Sequence, residues 1–132
     1  DRSMLPPEIE GWLRKADADL VAARHLRTNP VIPMEIAAFH YHQAVEKAFK
    51  GLLVRRGEVP PRNHDLRALL ALLGPTDFTD EEQDAADALT PFAVLARYPG
   101  FDAPPEPSLL DSFDLLAERS IMLLRASDPP PR

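Results

Sequence analysis

The stretch FHYHQAVEKAFKGLL, residues 39 to 53, decides the fold of this chain, because two different surfaces run along it. At 100° per residue, its small and apolar side chains and two preceding alanines fall within one arc of about 120°. These residues are Ala37, Ala38, Tyr41, Ala44, Val45, Ala48, Phe49 and Leu52. A second arc, about 80° wide and on the far side, contains the polar stripe of His40, Gln43, Lys47 and Lys50. The pattern predicts a central helix with one face in the core.

Four further helices are predicted around this one from apolar periodicity and from helix start and stop signals. The five predicted helices are Pro7 to Arg27, Met34 to Arg56, Asp65 to Leu73, a fourth that begins at Asp80 after a Thr79 and Glu82 capping box, and a fifth that Ser108 caps and that reaches Leu124. Pro91 lies within the fourth pattern and predicts a break near Ala88. We therefore expect an all-α fold, an antiparallel, up-and-down bundle of four to five helices.

Length and composition limit the alternatives. The chain has 132 residues, 45% of them hydrophobic, which suits one domain with a single core. We expect an N-terminal tail at residues 1–6, partly an expression remnant because Met4 would make a natural start, a bundle at 7–126, and a disordered proline-rich tail at 127–132. No apolar run approaches the roughly 20 residues that a membrane span needs, so we expect a soluble, cytoplasmic protein without membrane contact.

Charge and residue types exclude several functions. The net charge of -6 argues against a surface that attracts nucleic acid everywhere, although a local basic patch remains compatible with it. There is no cysteine, so thiolate metal sites and thiol nucleophiles are excluded. His40 and His42 lie two residues apart and point about 200° from each other on a helix, so they cannot share one ion. We expect no metal and no cofactor.

Three ordered blocks resemble one known family. FHYHQAVEKAFKGLL is followed by NHDL at residues 63–66 and by ARYP at residues 96–99. This order and spacing, over about Glu10 to Leu124, resemble the HEPN domains, the "higher eukaryotes and prokaryotes nucleotide-binding" family. The resemblance implies a small antiparallel helical bundle, commonly dimeric and often encoded beside a minimal nucleotidyltransferase. It also implies that some members are ribonuclease toxins that cleave RNA without a metal.

The ribonuclease members of that family are recognised by an Arg and a His separated by four to six residues. Such a pair suits RNA cleavage, because imidazole moves a proton near neutral pH while guanidinium stabilises charge on the phosphate. None of the four histidines, His25, His40, His42 and His64, follows an arginine at that spacing. This absence argues against an enzyme.

We therefore predict a non-catalytic module that binds a nucleotide or a protein partner. The predicted partners are a second copy of the chain and a nucleotidyltransferase subunit to which the module is accessory, or else the other member of a toxin-antitoxin-like pair. The predicted ligand is a nucleotide or RNA. The candidate ligand-binding residues are the polar stripe, His40, Gln43, Lys47 and Lys50, joined by Arg62, His64, Arg97 and Tyr98 if the bundle brings the three blocks together. A solvated helix face and a capped helix start would also account for these residues. The alternative function is a metal-independent ribonuclease with a non-standard site, built for example from His64 with Arg97 or Lys47.

Overall fold

The central helix predicted from residues 39–53 lies at the centre of the bundle. The structure is a computed structural model, and it describes residues 5–74, 77–94 and 104–126. The helices are α1 (Pro7–Arg27), α2 (Met34–Arg55), α3 (Leu66–Leu73), α4 (Asp80–Leu89) and α5 (Pro107–Arg125), with a 3-10 turn at Thr90–Ala93. The described part of the chain contains no strand. The predicted all-α helical bundle is confirmed.

Helix α2 is the most buried element, as its composition indicates. All eight side chains of the predicted apolar arc are buried, and α2 packs against α1, α5 and α3. Gly51 lets three helices approach closely, since a Cβ atom there would lie 2.9 Å from Cβ of Trp12 on α1 and 2.8 Å from a methyl carbon of Leu124 on α5. A larger residue at this position would push the helices apart.

Ion pairs between helices show the relative directions of those helices. Arg24 and Arg27 of α1 pair with Asp114 and Asp111 of α5, while Arg125 at the other end of α5 pairs with Asp17. Helix α1 therefore runs antiparallel to α5. A further ring contact joins Phe92 to Phe113, and Arg119 lies 3.4 Å from Glu82, so α4 and α5 are antiparallel neighbours as predicted.

Local signals determine where α3 and α4 begin and end. Asp65 is the N-cap of α3 and accepts hydrogen bonds from the backbone N–H groups of Arg67 and Ala68, so the helix begins one residue later than predicted. The Thr79 and Glu82 capping box is present. Helix α4 ends at Leu89 and continues as the 3-10 turn, in which Pro91 offers no N–H group; the predicted break is confirmed within one residue.

The predicted cap of the last helix is wrong. Ser108 lies inside the first turn of α5, and Glu106 occupies the N-cap position without a side-chain hydrogen bond to the backbone. Pro107 explains the difference, because its fixed φ suits the first helical position and its missing N–H group needs no partner there. The central helix ends at Arg55, one residue earlier than predicted, and Gly57 follows with φ of 83°.

Parts of the predicted domain division lie outside the described residues, namely positions 1–4 and 127–132. In the segments that the structure describes, no helix is long and apolar enough to cross a bilayer.

A polar network joins the last turn of α1 to the N-terminal halves of α2 and α5. Arg24 makes two hydrogen bonds to the carboxylate of Asp114, at 2.8 and 2.7 Å, and the hydroxyl of Tyr41 donates to the same carboxylate at 2.7 Å. Arg27 donates to the Tyr41 oxygen at 3.3 Å. We call Asp114, Arg24, Arg27 and Tyr41 the Asp114 network. It fastens the two outer helices to the buried one.

Candidate functional site

The candidate site is centred on Glu46, a buried carboxylate of α2. Its side chain is only 7% exposed. One oxygen, Oε2, accepts a hydrogen bond of 2.8 Å from Lys50, one turn further along α2. The other oxygen, Oε1, lies 3.0 Å from Nδ1 of His64, in the loop before α3. A single carboxylate therefore holds a lysine of the central helix and a histidine of the loop side by side.

His42 is the second buried residue of this cluster. It is fully buried, and its Nε2 lies 2.9 Å from the backbone carbonyl oxygen of His64. A carbonyl oxygen only accepts, so Nε2 carries a proton and donates it. The other ring nitrogen, Nδ1, lies 3.5 Å from Oε1 of Glu46 and has no hydrogen-bond partner. We call Glu46, Lys50, His64 and His42 the Glu46 network.

The charges within this network follow from burial and hydrogen bonding. Burial raises the pKa of Glu46, but hydrogen bonds from Lys50 and His64 outweigh it, so that the pKa lies below its usual range. Burial is also the main reason why the pKa of His42 is lowered, although the carbonyl of His64 and the charge of Glu46 oppose that effect. Near neutral pH the network therefore contains an ionised carboxylate and a neutral His42.

Two residues of the polar stripe, His40 and Lys47, contact Asp19 instead of Glu46. Asp19 of α1 accepts from Nδ1 of His40 at 3.1 Å and forms an ion pair with Lys47. His40 and Lys47 are each a little over one-quarter exposed. His40 and Lys47 therefore lie along the seam between α1 and α2 instead of on a freely solvated face.

The structure describes six of the eight predicted site residues, and four of the six form two pairs. Lys50 and His64 meet on Glu46, and His40 and Lys47 meet on Asp19. Gln43 is half-buried on α2 between these two groups, and Arg62 is exposed two residues before His64. The first and second sequence blocks therefore meet at one place. Arg97, Tyr98 and the rest of the ARYP block lie outside the described residues.

Sequence reasoning missed Asp19, His42 and Glu46, the residues that organise the site. A signal for two of them was present. His42, Glu46 and Lys50 recur every four residues, and at 100° per residue His42 lies about 20° beyond Phe49, at the edge of the apolar arc. A polar row that begins at the edge of a buried face indicates a buried network. Nothing in the local sequence pairs Asp19 with α2.

The described residues offer no metal site of the usual kind. No group of three or more His, Asp or Glu side chains in segments 5–74, 77–94 and 104–126 is arranged to hold an ion. The charged and titratable side chains of the two groups are two ammonium groups, three imidazoles and two carboxylates.

The fold and the site define a small helical-bundle domain whose central helix carries a buried polar network. A family model described as HEPN domain matches residues 9–122. The chain therefore belongs to the HEPN domain family, and the resemblance noted from the three sequence blocks is confirmed.

Two solved structures are similar to the whole fold. The archaeal HEPN homologue ST0689 has 27% sequence identity and a TM-score of 0.65, over 88% of this chain and 93% of that one. The protein TT1696 from Thermus thermophilus has 30% identity and a TM-score of 0.61, over 88% of this chain and 89% of that one. No curated protein matches the sequence significantly.

Proposed function

We propose that this HEPN-family chain is a non-catalytic module that binds a nucleotide or another phosphate-bearing ligand at the Glu46 network. One observation carries the proposal: the buried Glu46 holds Lys50 and His64 next to each other at the edge of the bundle. An ammonium and an imidazole at fixed positions suit a phosphate group, which offers several acceptor oxygens. The side chain of His64 is 57% exposed and so accessible to a ligand.

The local distribution of charge supports the proposal despite the net charge of -6. Lys47 lies three residues before Lys50, so both ammonium groups lie along one side of α2. Each is paired with one carboxylate, and an ammonium has three donors, which leaves donors for a ligand. Arg62 is exposed and adds a guanidinium close to His64 in the chain. Lys50 thus shares a carboxylate with the exposed imidazole, Lys47 lies along the same side of α2, and Arg62 lies two residues before His64 in the chain.

Ligand-dependent thermal stability tests the proposal. AMP, ATP and cyclic AMP at millimolar concentration should raise the melting temperature if the folded state binds them. At 100 times the dissociation constant the gain is about 2.7 kcal/mol, which corresponds to a shift of several degrees. Lys47→Ala and Arg62→Ala should each reduce the shift. Arg14→Ala is the matched control, since Arg14 is an exposed cation about 140° around α1 from Asp19.

Absence of any shift with all three nucleotides, confirmed by calorimetry, would refute nucleotide binding. Equal losses in the Arg14 control and in the site variants would show that the cations act through the overall charge of the protein and not through this site.

A protein partner is the second part of the proposal. We propose that the chain forms a two-fold dimer, and that it acts beside a nucleotidyltransferase subunit or is one member of a toxin-antitoxin-like pair. Three large apolar side chains on α1 and α5 support an interface: Val21, Leu115 and Met122 are 57%, 67% and 61% exposed. Light scattering should give twice the chain mass at micromolar concentration, and a monomer would contradict the dimer. Co-purification with a nucleotidyltransferase encoded beside it would support the second arrangement.

A ribonuclease is the alternative function, and one feature of the site favours it. Glu46 and His64 form a carboxylate and imidazole pair of the kind that orients a general base. Purified protein incubated with mixed RNA and a chelator should leave the RNA intact if the module is non-catalytic. RNA cleavage that His64→Ala abolishes would replace our proposal by this alternative.

A further inference from the structure

We infer that His64 contacts a phosphate of the ligand through Nε2 alone and that the site takes up a proton when the phosphate binds. The inference deepens the proposed function and rests on it, since it concerns how the same site recognises its ligand. It also assigns Glu46 and His42 as positioning residues, which act on the ligand only through His64.

Two buried residues hold His64 from two sides. The carboxylate of Glu46 lies 3.0 Å from its Nδ1, and the ring of His42 donates to its backbone carbonyl oxygen at 2.9 Å. An ionised carboxylate only accepts, so Nδ1 of His64 carries a proton. Rotation of the ring would break the first contact, and movement of the loop would break the second. Nε2 is therefore the nitrogen that a ligand can reach.

The tautomer of His64 determines which ligand groups can form a hydrogen bond with Nε2. In the neutral ring with its proton on Nδ1, Nε2 carries a lone pair and only accepts hydrogen bonds. A phosphate oxygen at near neutral pH also only accepts, so the two cannot bond. Phosphate binding through Nε2 therefore requires a second proton on the ring. The charged ring would then form an ion pair with Glu46, whose carboxylate lies 3.0 Å from Nδ1.

The charges around His64 nearly cancel while its ring is neutral, so one added proton changes the local net charge. The charged and titratable groups that contact His64, share its carboxylate or lie beside it in the chain are Glu46, His42, Lys50, Arg62 and Asp65. Glu46 and Lys50 neutralise each other, and His42 is neutral because burial lowers its pKa. Arg62 and Asp65 have opposite charges. A proton on His64 therefore changes the local sum from about zero to positive.

Other ligand groups would behave differently at this nitrogen. A hydroxyl of ribose or an amino group of a base donates a hydrogen bond, and the lone pair of Nε2 accepts it without any added proton. The number of protons taken up on binding therefore distinguishes a phosphate contact from a sugar or base contact.

Calorimetry in buffers with different ionisation enthalpies measures this number. Wild-type protein and His64→Gln are each titrated at pH 6, 7 and 8 with AMP, ATP and cyclic AMP. The ionisation of the ligand itself is common to both proteins and cancels in the comparison. In the wild type we expect the uptake attributed to His64 to rise towards one proton with pH, and affinity to fall by up to about tenfold per pH unit. In His64→Gln, whose amide donates at any pH, this component should disappear.

His25→Gln is the matched control, because His25 is an exposed histidine near the end of α1. Its proton uptake and affinity should equal those of the wild type. Binding by the wild type with no proton uptake beyond that of His64→Gln would overturn the inference and leave the proposed function standing. Failure of all three nucleotides to bind at any pH would overturn both.

Glu46→Gln separates positioning from simple charge. It removes a negative charge from the site, so an effect of charge alone predicts tighter nucleotide binding. Loss of the carboxylate that accepts from Nδ1 and pairs with the charged, phosphate-bound ring predicts weaker binding, by about tenfold or more at pH 7. Circular dichroism and melting temperature establish that the variant is folded, and Glu46→Asp provides a second variant that keeps the charge. Tighter binding by folded Glu46→Gln at pH 7 would overturn the positioning role.

Discussion

The Asp114 network and the Glu46 network contain similar groups but differ in how fully those groups are hydrogen-bonded. Each is centred on a carboxylate and includes a ring of α2, Tyr41 in the first and His42 in the second. Asp114 receives three hydrogen bonds, and the Tyr41 hydroxyl both donates and accepts. In the Glu46 network, the buried Nδ1 of His42 has no partner.

This difference indicates different roles. The guanidinium of Arg24 is the main reason why the pKa of Asp114 lies below its usual range, and burial raises the pKa of Tyr41 to about 12. Neither group titrates near neutral pH, so the Asp114 network remains one fixed connection between helices. The Glu46 network combines an unpaired buried nitrogen, which costs stability, with an exposed imidazole that a ligand can reach.

Removal of Asp114 should have the largest effect on stability. Asp114→Ala deprives the buried hydroxyl of Tyr41 of its acceptor and leaves the guanidinium of Arg24 without the carboxylate that it pairs with. Buried donors without partners cost about 1 to 3 kcal/mol, so we expect a loss of about 2 to 3 kcal/mol in the free energy of unfolding. Urea denaturation measures this loss. Nucleotide affinity of the folded variant should not change.

Asp111→Ala is the control for Asp114→Ala. Asp111 also pairs with an arginine of α1, but its side chain is 70% exposed, so the change should cost less than about 1 kcal/mol. Equal costs for the two substitutions would contradict the view that the Asp114 network is a structural connection. Reduced ligand binding by folded Asp114→Ala would remove the distinction between the networks.

Gly51→Ala tests the packing on the same side of α2 as Asp114. The added methyl group would lie 2.9 Å from Cβ of Trp12, a position that rotation of the side chain cannot move. Overpacking of this kind costs about 1 to 3 kcal/mol, and the better helix propensity of alanine returns up to about 1 kcal/mol. We expect a net loss of about 1 to 2 kcal/mol in the free energy of unfolding by urea denaturation, with no change in proton uptake at the site.

Gly11→Ala provides the opposite control. A Cβ atom at Gly11 would meet nothing within 4 Å, and the residue lies inside α1. The substitution should stabilise the protein by about 0.5 to 1 kcal/mol. If Gly51→Ala were also stabilising, close approach of the three helices would not explain why glycine occupies that position.

The sequence predicted the packed side of α2 better than its polar side, and the reason is physical. The apolar arc from Ala37 to Leu52 is a periodic property of one helix, and the Thr79 and Glu82 capping box is a property of four adjacent residues. Both depend on neighbours in the chain, so they can be read from a single sequence.

The Glu46 network depends on contacts that no local pattern contains. Glu46 and Lys50 resemble an ordinary exposed pair of one helix, until the loop before α3 returns across α2 and brings His64 to the same carboxylate. In the same way, Asp19 meets His40 and Lys47 only because α1 and α2 pack side by side. The sequence blocks predicted that residues 39–53 and 63–66 would meet, but the buried acid at their centre required the packed structure.

The smallest expected effect concerns the stability of the Glu46 network as pH falls. His42 has a lowered pKa in the folded state because it is buried, so the unfolded chain binds a proton more readily. The stability from neutral, buried His42 is therefore present above the unfolded pKa of about 6.5 and is lost as pH falls towards the lower, folded pKa. One proton contributes at most about 1.4 kcal/mol per pH unit.

His42→Gln isolates this contribution, since the amide can still donate to the His64 carbonyl but does not titrate. Between pH 6.5 and 5 the wild type should lose more stability to urea than the variant, and above pH 7 the two slopes should agree. Tyr41→Phe is the control in the Asp114 network, and it should keep the wild-type slope because Tyr41 has a pKa of about 12 and carries no charge in this range. Parallel curves for wild type and His42→Gln would mean that His42 does not titrate with folding. The unpaired Nδ1 of His42 would then only lower the stability of the folded protein. The difference between the two networks would depend on His64 and its exposed side chain.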